Sequence, residues 1–281
     1  VKRLALRQNQ PLAIDPSAIR RDQDGLFIVL GDAPPPNTAH GSVVIVHVRG
    51  ALTQFDGDGG DSYQSIVERV AEAIKEKPSA VILSISSPGG LVAGLNECVF
   101  KLQRMRTESG IPLIAQINEL AASAAFALCC ACDRRFAPPS AIVGSIGTIS
   151  TMASQARRDA AEGYDFVIIT SGARKADGHP HAPIEDAAIK AEKARNAQLA
   201  EQFFELAAKA LRQSPRKLEA LEAAIYVGEN ARKVGLINAV RSLDETIGSL
   251  DKSEIAAPPP APNEGNITDR RAKERNGLAS P

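Results

Sequence analysis

The sequence predicts an α/β fold with a largely parallel sheet between helices. Two observations carry the prediction. From Ser42 onward, strand-length aliphatic runs and helical stripes alternate as strand, helix, strand, helix, strand, helix, the pattern of chained βα units. The residues able to carry chemistry also fall directly after those strands, where open α/β sheets place their sites.

Residues 1–41 read as an N-terminal arm and linker. Pro11, Pro16 and the run Pro34-Pro35-Pro36 bracket one apolar piece of strand length, Leu26-Phe27-Ile28-Val29-Leu30. A domain over residues 42–250 follows. Val43-Val44-Ile45-Val46-His47-Val48 is a β-branched strand that stops at Gly50. After an Asp- and Gly-rich loop, Asp61 or Ser62 caps a helix with Ile66, Val67, Val70, Ala73 and Ile74 on one face. Ala80-Val81-Ile82-Leu83-Ser84-Ile85 is a buried strand running into Ser86-Ser87-Pro88-Gly89-Gly90. A second helical stripe follows, with Val92, Leu95, Val99, Leu102 and Met105. Pro112-Leu113-Ile114-Ala115-Gln116-Ile117 is the third strand and leads into a helix beginning at Ser123.

Beyond that helix the pattern predicts a short strand around Arg135-Phe136-Ala137 and a turn over Gly144 to Gly147. A helix near Ala153 to Glu162 and a strand at Phe166-Val167-Ile168-Ile169-Thr170 come next. A Gly- and Pro-containing loop from Ser171 to Pro183 precedes a long helix, about Glu185 to Arg212. Two shorter pieces end in Gly235-Leu236-Ile237-Asn238-Ala239-Val240. Residues 251–281, rich in Pro, Ala and charge without periodicity, predict a disordered tail.

Composition narrows the function classes. The 281 residues carry 33 Lys plus Arg against 33 Asp plus Glu, a balance that gives no bulk-charge basis for nucleic-acid or membrane-surface binding. Aromatics are 4% with no Trp, which disfavours stacking platforms for bases or sugars. No apolar run approaches the roughly 18 to 20 residues needed to span a bilayer. Arg7 interrupts the start where a signal peptide would continue its apolar region, so the expectation is a cytoplasmic chain. Cys129-x-x-Cys132 formally matches a redox or half-zinc motif, but it has no second ligand pair and lies among Ala, Leu and Phe. Buried small side chains are the better reading for all four cysteines.

Three features can carry chemistry. Ser87-Pro88-Gly89-Gly90 exposes backbone N–H groups that cradle an anion or polarise a carbonyl, or else is a tight turn needing glycine. It lacks the Lys-Ser/Thr ending of a phosphate-binding loop. Ser123, in Ala121-Ala122-Ser123-Ala124-Ala125, is either an N-cap or a nucleophile, and caps are far commoner. Lys175, in Ser171-Gly172-Ala173-Arg174-Lys175, is a solvated loop lysine unless it turns into an apolar pocket, where desolvation makes it a base. Ser with neutral Lys is a known nucleophile–base pair. A His base remains open, with His179 and His181 close to Lys175 and with His40 and His47 farther off. A metal site from His179, His181 and Asp177 or Glu185 is the weaker reading of an exposed polar loop.

Taken in order, Ser-Pro-Gly-Gly after a strand, Ala-Ala-Ser-Ala-Ala opening a helix, Val143-Gly144-Ser145-Ile146-Gly147 and Ser171-Gly172-x-x-Lys175 resemble family S49 serine peptidases, the signal peptide peptidase A group. The likeness covers about Ser42 to Val240. The longer stretches Ser87 to Gly94 and Lys175 to Pro180 are most similar to the phage branch, which contains lambda-type head maturation (capsid assembly) proteases.

That resemblance implies a ClpP/crotonase-like fold of repeated ββα and βα units with a C-terminal helical part. It implies Ser123 as nucleophile, Lys175 as general base, an oxyanion hole from the N–H groups of Gly90 and Ala124 (with Gly89 a lesser contributor), and Ser145 orienting the lysine amine. Ser86 and Ala125 depart from residues common in the family without removing a catalytic atom. The same resemblance implies no metal and no other cofactor, a homo-oligomer, and a polypeptide substrate among phage scaffold, portal or capsid proteins. It places the chain in the host cytoplasm or an assembling prohead. Alternatives are a soluble signal-peptide-peptidase-like protease, a crotonase-type acyl-CoA enzyme, or a scaffold-binding relative without activity.

Overall fold

A computed structural model of the chain describes residues 3–5, 12–14, 19–22, 25–29, 37–40, 42–55 and 60–250. The predicted tail, residues 251–281, and the Pro34-Pro35-Pro36 run lie outside the described residues. The α/β class expected from the alternation of strands and helices is what is found. The arm contributes β1 (Arg3–Ala5), β2 (Leu12–Ile14), β3 (Ile19–Asp22), β4 (Gly25–Val29) and β5 (Thr38–His40), where one strand was expected. β4 pairs antiparallel with both β1 and β3, forming a small separate sheet.

The domain is built on three aligned parallel strands: β6 (Val43–Arg49), β9 (Ala80–Ser87) and β11 (Leu113–Ala122). Their aliphatic side chains alternate between two apolar layers. Val44, Val46, Val48, Val81, Leu83, Ile85, Ala115 and Ile117 face one layer. Val43, Ile45, Ile82 and Ile114 face the other. A strand covered on both faces needs apolar residues at successive positions, which is why these segments read as continuous runs.

The larger layer is covered by α1 (Tyr63–Lys75), α2 (Leu95–Ser109), α3 (Ala124–Cys129) and α5 (Asp186–Leu211). Ser62 caps α1 by accepting the Ser65 N–H at 3.0 Å. α2 is bounded by Gly94 and Gly110, both left-handed, the conformation in which glycine escapes the Cβ penalty. Val92, placed on that helix by its spacing, precedes it. The glycines before it form an added strand, β10 (Gly89–Leu91), instead of leading straight into the helix.

β11 forks at its far edge. Its first half pairs with β12 (Arg134–Ala137) and its end pairs with β13 (Ile142–Gly144), both parallel. β14 (Ile225–Val227) closes antiparallel on β13, and β15 (Ala239–Val240) pairs with β12. The helices α4 (Ala156–Ala161), α6 (Pro215–Glu219), α7 (Gly228–Lys233) and α8 (Leu243–Gly248) complete the domain. Leu243 and Ile247 of α8 pack on the smaller layer. A second small sheet runs in the order β2, β10, β7 (Leu52–Thr53) and β8 (Asp61–Ser62). It lies at the C-terminal end of β9, and it positions the site.

The strand expected at residues 166–170 does not form. Val167 and Ile169 are 82% and 90% exposed. β-branched residues favour a strand only where a neighbouring strand and a packed face reward it, and this segment has neither among the described residues.

Candidate active site

Ser123 stands at the turn from β11 into α3, with φ 54° and ψ −120°. That backbone is rare for any residue bearing a Cβ and costs about 1–3 kcal/mol, which the surroundings must hold in place. The restraints are visible. The Ser123 N–H donates to Gly144 O at 2.8 Å, and its own carbonyl accepts the Ala127 N–H at 3.0 Å as the first bond of α3. Ala121, Ala122, Ala124 and Ala125 are fully buried on either side, leaving no room for larger groups. A sharp strand-to-helix turn of this kind holds a nucleophile clear of its own backbone.

The residues alone left Ser123 between cap and nucleophile, and the resemblance favoured the nucleophile. It occupies the N-cap position, yet its side chain caps nothing. The hydroxyl instead donates to Gly147 O at a long 3.3 Å. The first N–H groups of α3, Ala124 among them, have no acceptor within the helix because of where they stand.

Gly90 and Gly89 separate on geometry. Ser87 Oγ donates to Gly50 O at 2.7 Å and accepts the Gly89 N–H at 3.2 Å, so the Gly89 N–H is already used. Gly90 lies in β10 opposite Leu52 of β7. A Cβ on Gly90 would sit 1.9 Å from the Leu52 carbonyl oxygen, an overlap that only glycine avoids. α3 packs directly on β10, which brings the Ser123 turn and the Gly90 strand together.

Ser145 follows β13. It is buried, with φ 53°, and its N–H donates to Ala224 O at 3.1 Å. Gly144 before it has φ 134°, and a Cβ there would approach Ala224 O to 2.4 Å. The next turn is tied to the long helix, since Thr148 Oγ1 donates to Asn196 O and Asn196 Nδ2 donates back to Thr148 O. Ser123, Ser145 and Gly147 are thus held in one corner, with both serines buried.

Lys175 is not in that corner. It is exposed, its N–H donates to Gly172 O at 2.9 Å, and its side chain makes no hydrogen bond or ion pair among the described residues. The histidines near it are engaged with one another and with α4. His181 Nδ1 lies 2.8 Å from Asp159 Oδ2, and its ring stacks on Phe166 at 4.0 Å. His47, on β6, is within 3.3 Å of Thr38 Oγ1, and burial beside Arg49 and Arg69 lowers its pKa. Among the described residues no histidine hydrogen-bonds to Ser123.

Among the described residues no group of three or more His, Cys, Asp or Glu side chains is placed to hold a metal ion, and no helix is long and apolar enough to cross a membrane. The cysteines are buried free thiols. Burial pushes Cys130 up to about 12, and Cys129 and Cys132 upward as well, so they behave as core residues, as expected.

Two parts of the site were not read from the sequence. One is the Ser87 hydroxyl that takes the Gly89 N–H. Its signal was present, since a hydroxyl two residues before a backbone N–H commonly folds back on it. The other is β2, which pairs antiparallel with β10 in the register Leu12–Leu91, Ala13–Gly90 and Ile14–Gly89. The prolines at 11 and 16, read as breaks, were its only local sign.

The chain is similar in sequence to known proteins. The head-tail preconnector protein GP5 of Enterobacteria phage P21 is 31% identical over 215 residues, which is 76% of this chain and 41% of that protein. Capsid assembly protease C of Escherichia phage lambda is 28% identical over 202 residues, 72% of this chain and 44% of that one. The chain therefore spans about two fifths of the length of these relatives. Among solved structures, the ClpP1 N165D mutant from Listeria monocytogenes aligns with 75% of this chain and 94% of its own at a TM-score of 0.46 and 14% identity. The model of peptidase family S49 matches residues 105–256, a stretch containing Ser123, Ser145 and Lys175. The chain belongs to peptidase family S49.

Proposed function

We propose that the chain is a serine endopeptidase in which Ser123 is the nucleophile and Lys175 the general base. The observation that carries the reading is the Ser123 turn. A serine is held at φ 54° and ψ −120° in a buried alanine corner, and its hydroxyl is not spent on capping the helix it begins. Strain of that kind persists where a function requires it.

The chemistry of such a pair is acyl transfer. Lys175 Nζ takes the Ser123 proton as Oγ attacks a peptide carbonyl carbon. The oxyanion is stabilised by the N–H groups of Gly90 and Ala124. The lysine then gives its proton to the leaving amine as the acyl-enzyme forms, and water attacks the ester with the lysine again acting as base. The described chain supports the nucleophile half of this scheme more directly than the base half. For Lys175 to act, residues 164–183 must bring it into the corner beside Ser145. There desolvation favours the neutral amine of any lysine. We attribute that placement to assembly of a homo-oligomer, in which the exposed, β-branched stretch from Phe166 to Thr170 finds the partner it lacks in the single chain.

The names of the relatives, a capsid assembly protease and a head-tail preconnector protein, support a polypeptide substrate in phage head assembly. Scaffold, portal or capsid proteins processed within a prohead fit that class. Cleavage of a phage scaffold protein or casein by the chain, by Ser123→Ala and by Lys175→Ala tests the proposal. Cleavage by the chain and by neither variant is the expected outcome, and cleavage that persists in both variants overturns the dyad.

A further inference from the structure

β10 has two edges, and the arm occupies the one that matters. Its inner edge is taken by β7 in parallel pairing. Its outer edge carries β2, antiparallel, with Ala13 opposite Gly90. β2 itself is the end strand of this sheet, with no strand beyond it among the described residues. Pro11 and Pro16 flank it. A residue before proline is biased towards extended backbone, and proline cannot donate to a further strand, so the segment is suited to pair once, on β10, and then stop.

An extended peptide recognised by strand addition needs a free edge. At Gly90 the free edge is the one β2 covers, because β7 already lies on the other side. The arm and an incoming peptide are therefore mutually exclusive at this position. We propose that Leu12–Ile14 is a built-in competitor for the substrate strand. In the chain as it stands, the arm fills the groove beside Gly90 and must leave β10 before a polypeptide can pair there.

This inference rests on the reading of Gly90 as part of the peptidase site. It adds that the chain limits its own access to substrate. A three-residue strand is short, so few hydrogen bonds must be given up for the exchange, and a peptide longer than the arm's contact has the advantage.

Binding and cleavage are measured separately. The probe is a fluorescein-labelled peptide with the sequence of residues 10–17, and its binding is followed by anisotropy in a Ser123→Ala background, where it stays intact. Leu12→Pro and Ala13→Pro each remove one backbone N–H. Successive N–H groups of a strand point to opposite sides, so one of the two substitutions removes a donor facing β10. That variant is expected to bind the probe about tenfold more tightly, the return from one or two backbone hydrogen bonds. Equal or weaker binding in both variants overturns the proposal.

A second measurement needs no substitution in the arm. Saturating the Ser123→Ala chain with the peptide is expected to speed amide exchange at residues 12–14, and unchanged exchange there while the peptide is bound also overturns it. Cleavage by the Ser123 chain is read apart from both. Competition without cleavage sinks the peptidase reading of Ser123 and leaves the competitor standing. Cleavage without competition sinks the competitor alone.

Discussion

The corner around Ser123 and the segment around Lys175 differ in nearly every physical respect, although the chemistry proposed here needs both. Ser123 is 1% exposed and Lys175 lies in solvent. The serine turn is held by backbone bonds to Gly144 and Ala127, by flanking alanines and by the packing of α3 on β10. The lysine segment has turns, a pair of histidines and two largely exposed aliphatic side chains, with no strand partner among the described residues. The rigid surround that a strained serine needs is supplied by the single folded chain. The proposed base has no such surround among the described residues.

The largest effects should come from breaking the contrast at its two reacting atoms. Ser123→Ala and Lys175→Ala are each expected to lower the cleavage rate by at least about 10³-fold, because members of a catalytic unit fail together. Thermal melts separate them by location, and Lys175→Ala should leave the Tm unchanged, as exposed substitutions usually do. A Tm drop for Lys175→Ala comparable to that of a core variant would mean the lysine is already packed in the free chain.

Glycines give the next contrast. Gly90→Ala places a methyl 1.9 Å from a backbone oxygen, whereas a Cβ at Gly172, in the lysine segment, meets nothing within 4 Å. Gly90→Ala is expected to lose activity and about 3 kcal/mol of stability in denaturant unfolding, while Gly172→Ala stays within about 0.5 kcal/mol of the parent. Packing gives a third comparison. Phe126 is wholly buried in α3 and Ile169 is 90% exposed, so Phe126→Ala should cost about 3–5 kcal/mol and Ile169→Ala within about 0.5 kcal/mol.

The smallest expected effect is a pH dependence. Burial and the neighbouring arginines Arg49 and Arg69 lower the His47 pKa below its ordinary 6.5. The unfolded chain then binds more protons than the folded one in this window, so the histidine's contribution to stability is complete above pH 6.5 and is lost as pH falls from 6.5 through the lowered value. Denaturant midpoints measured at falling pH should decline less in His47→Gln than in the parent. An identical decline would assign the loss to other groups.

Much of the frame was legible before any coordinates. The runs that became β6 and β9 are continuous because both faces of each strand are buried. The stripes of α1, α2 and α5 follow the 3.6-residue period of a helix packed on one side. A cap at Asp61 or Ser62 was legible because a side-chain contact to the next turn's N–H is local, and the fold chose Ser62. The segment from Phe166 to Thr170 misled because β-branched residues signal capacity for a strand and say nothing about a partner. β10 and β2 were missed for a related reason. Three residues are too few to show alternation, and their pairing joins positions far apart in the chain.

The site divides along the same line. Local sequence placed Ser123 at a strand-to-helix turn among alanines and glycines after a second strand, because small residues and punctuation are properties of neighbours in the chain. It left open whether the serine caps its helix and whether the Gly89 N–H is available as a donor. Tertiary structure decided both. The Ser123 backbone is held at positive φ by a bond to Gly144, and the Gly89 N–H is taken by Ser87 while β7 closes on Gly90. Such facts depend on which distant backbone groups arrive within hydrogen-bonding distance, and only the folded chain brings them there.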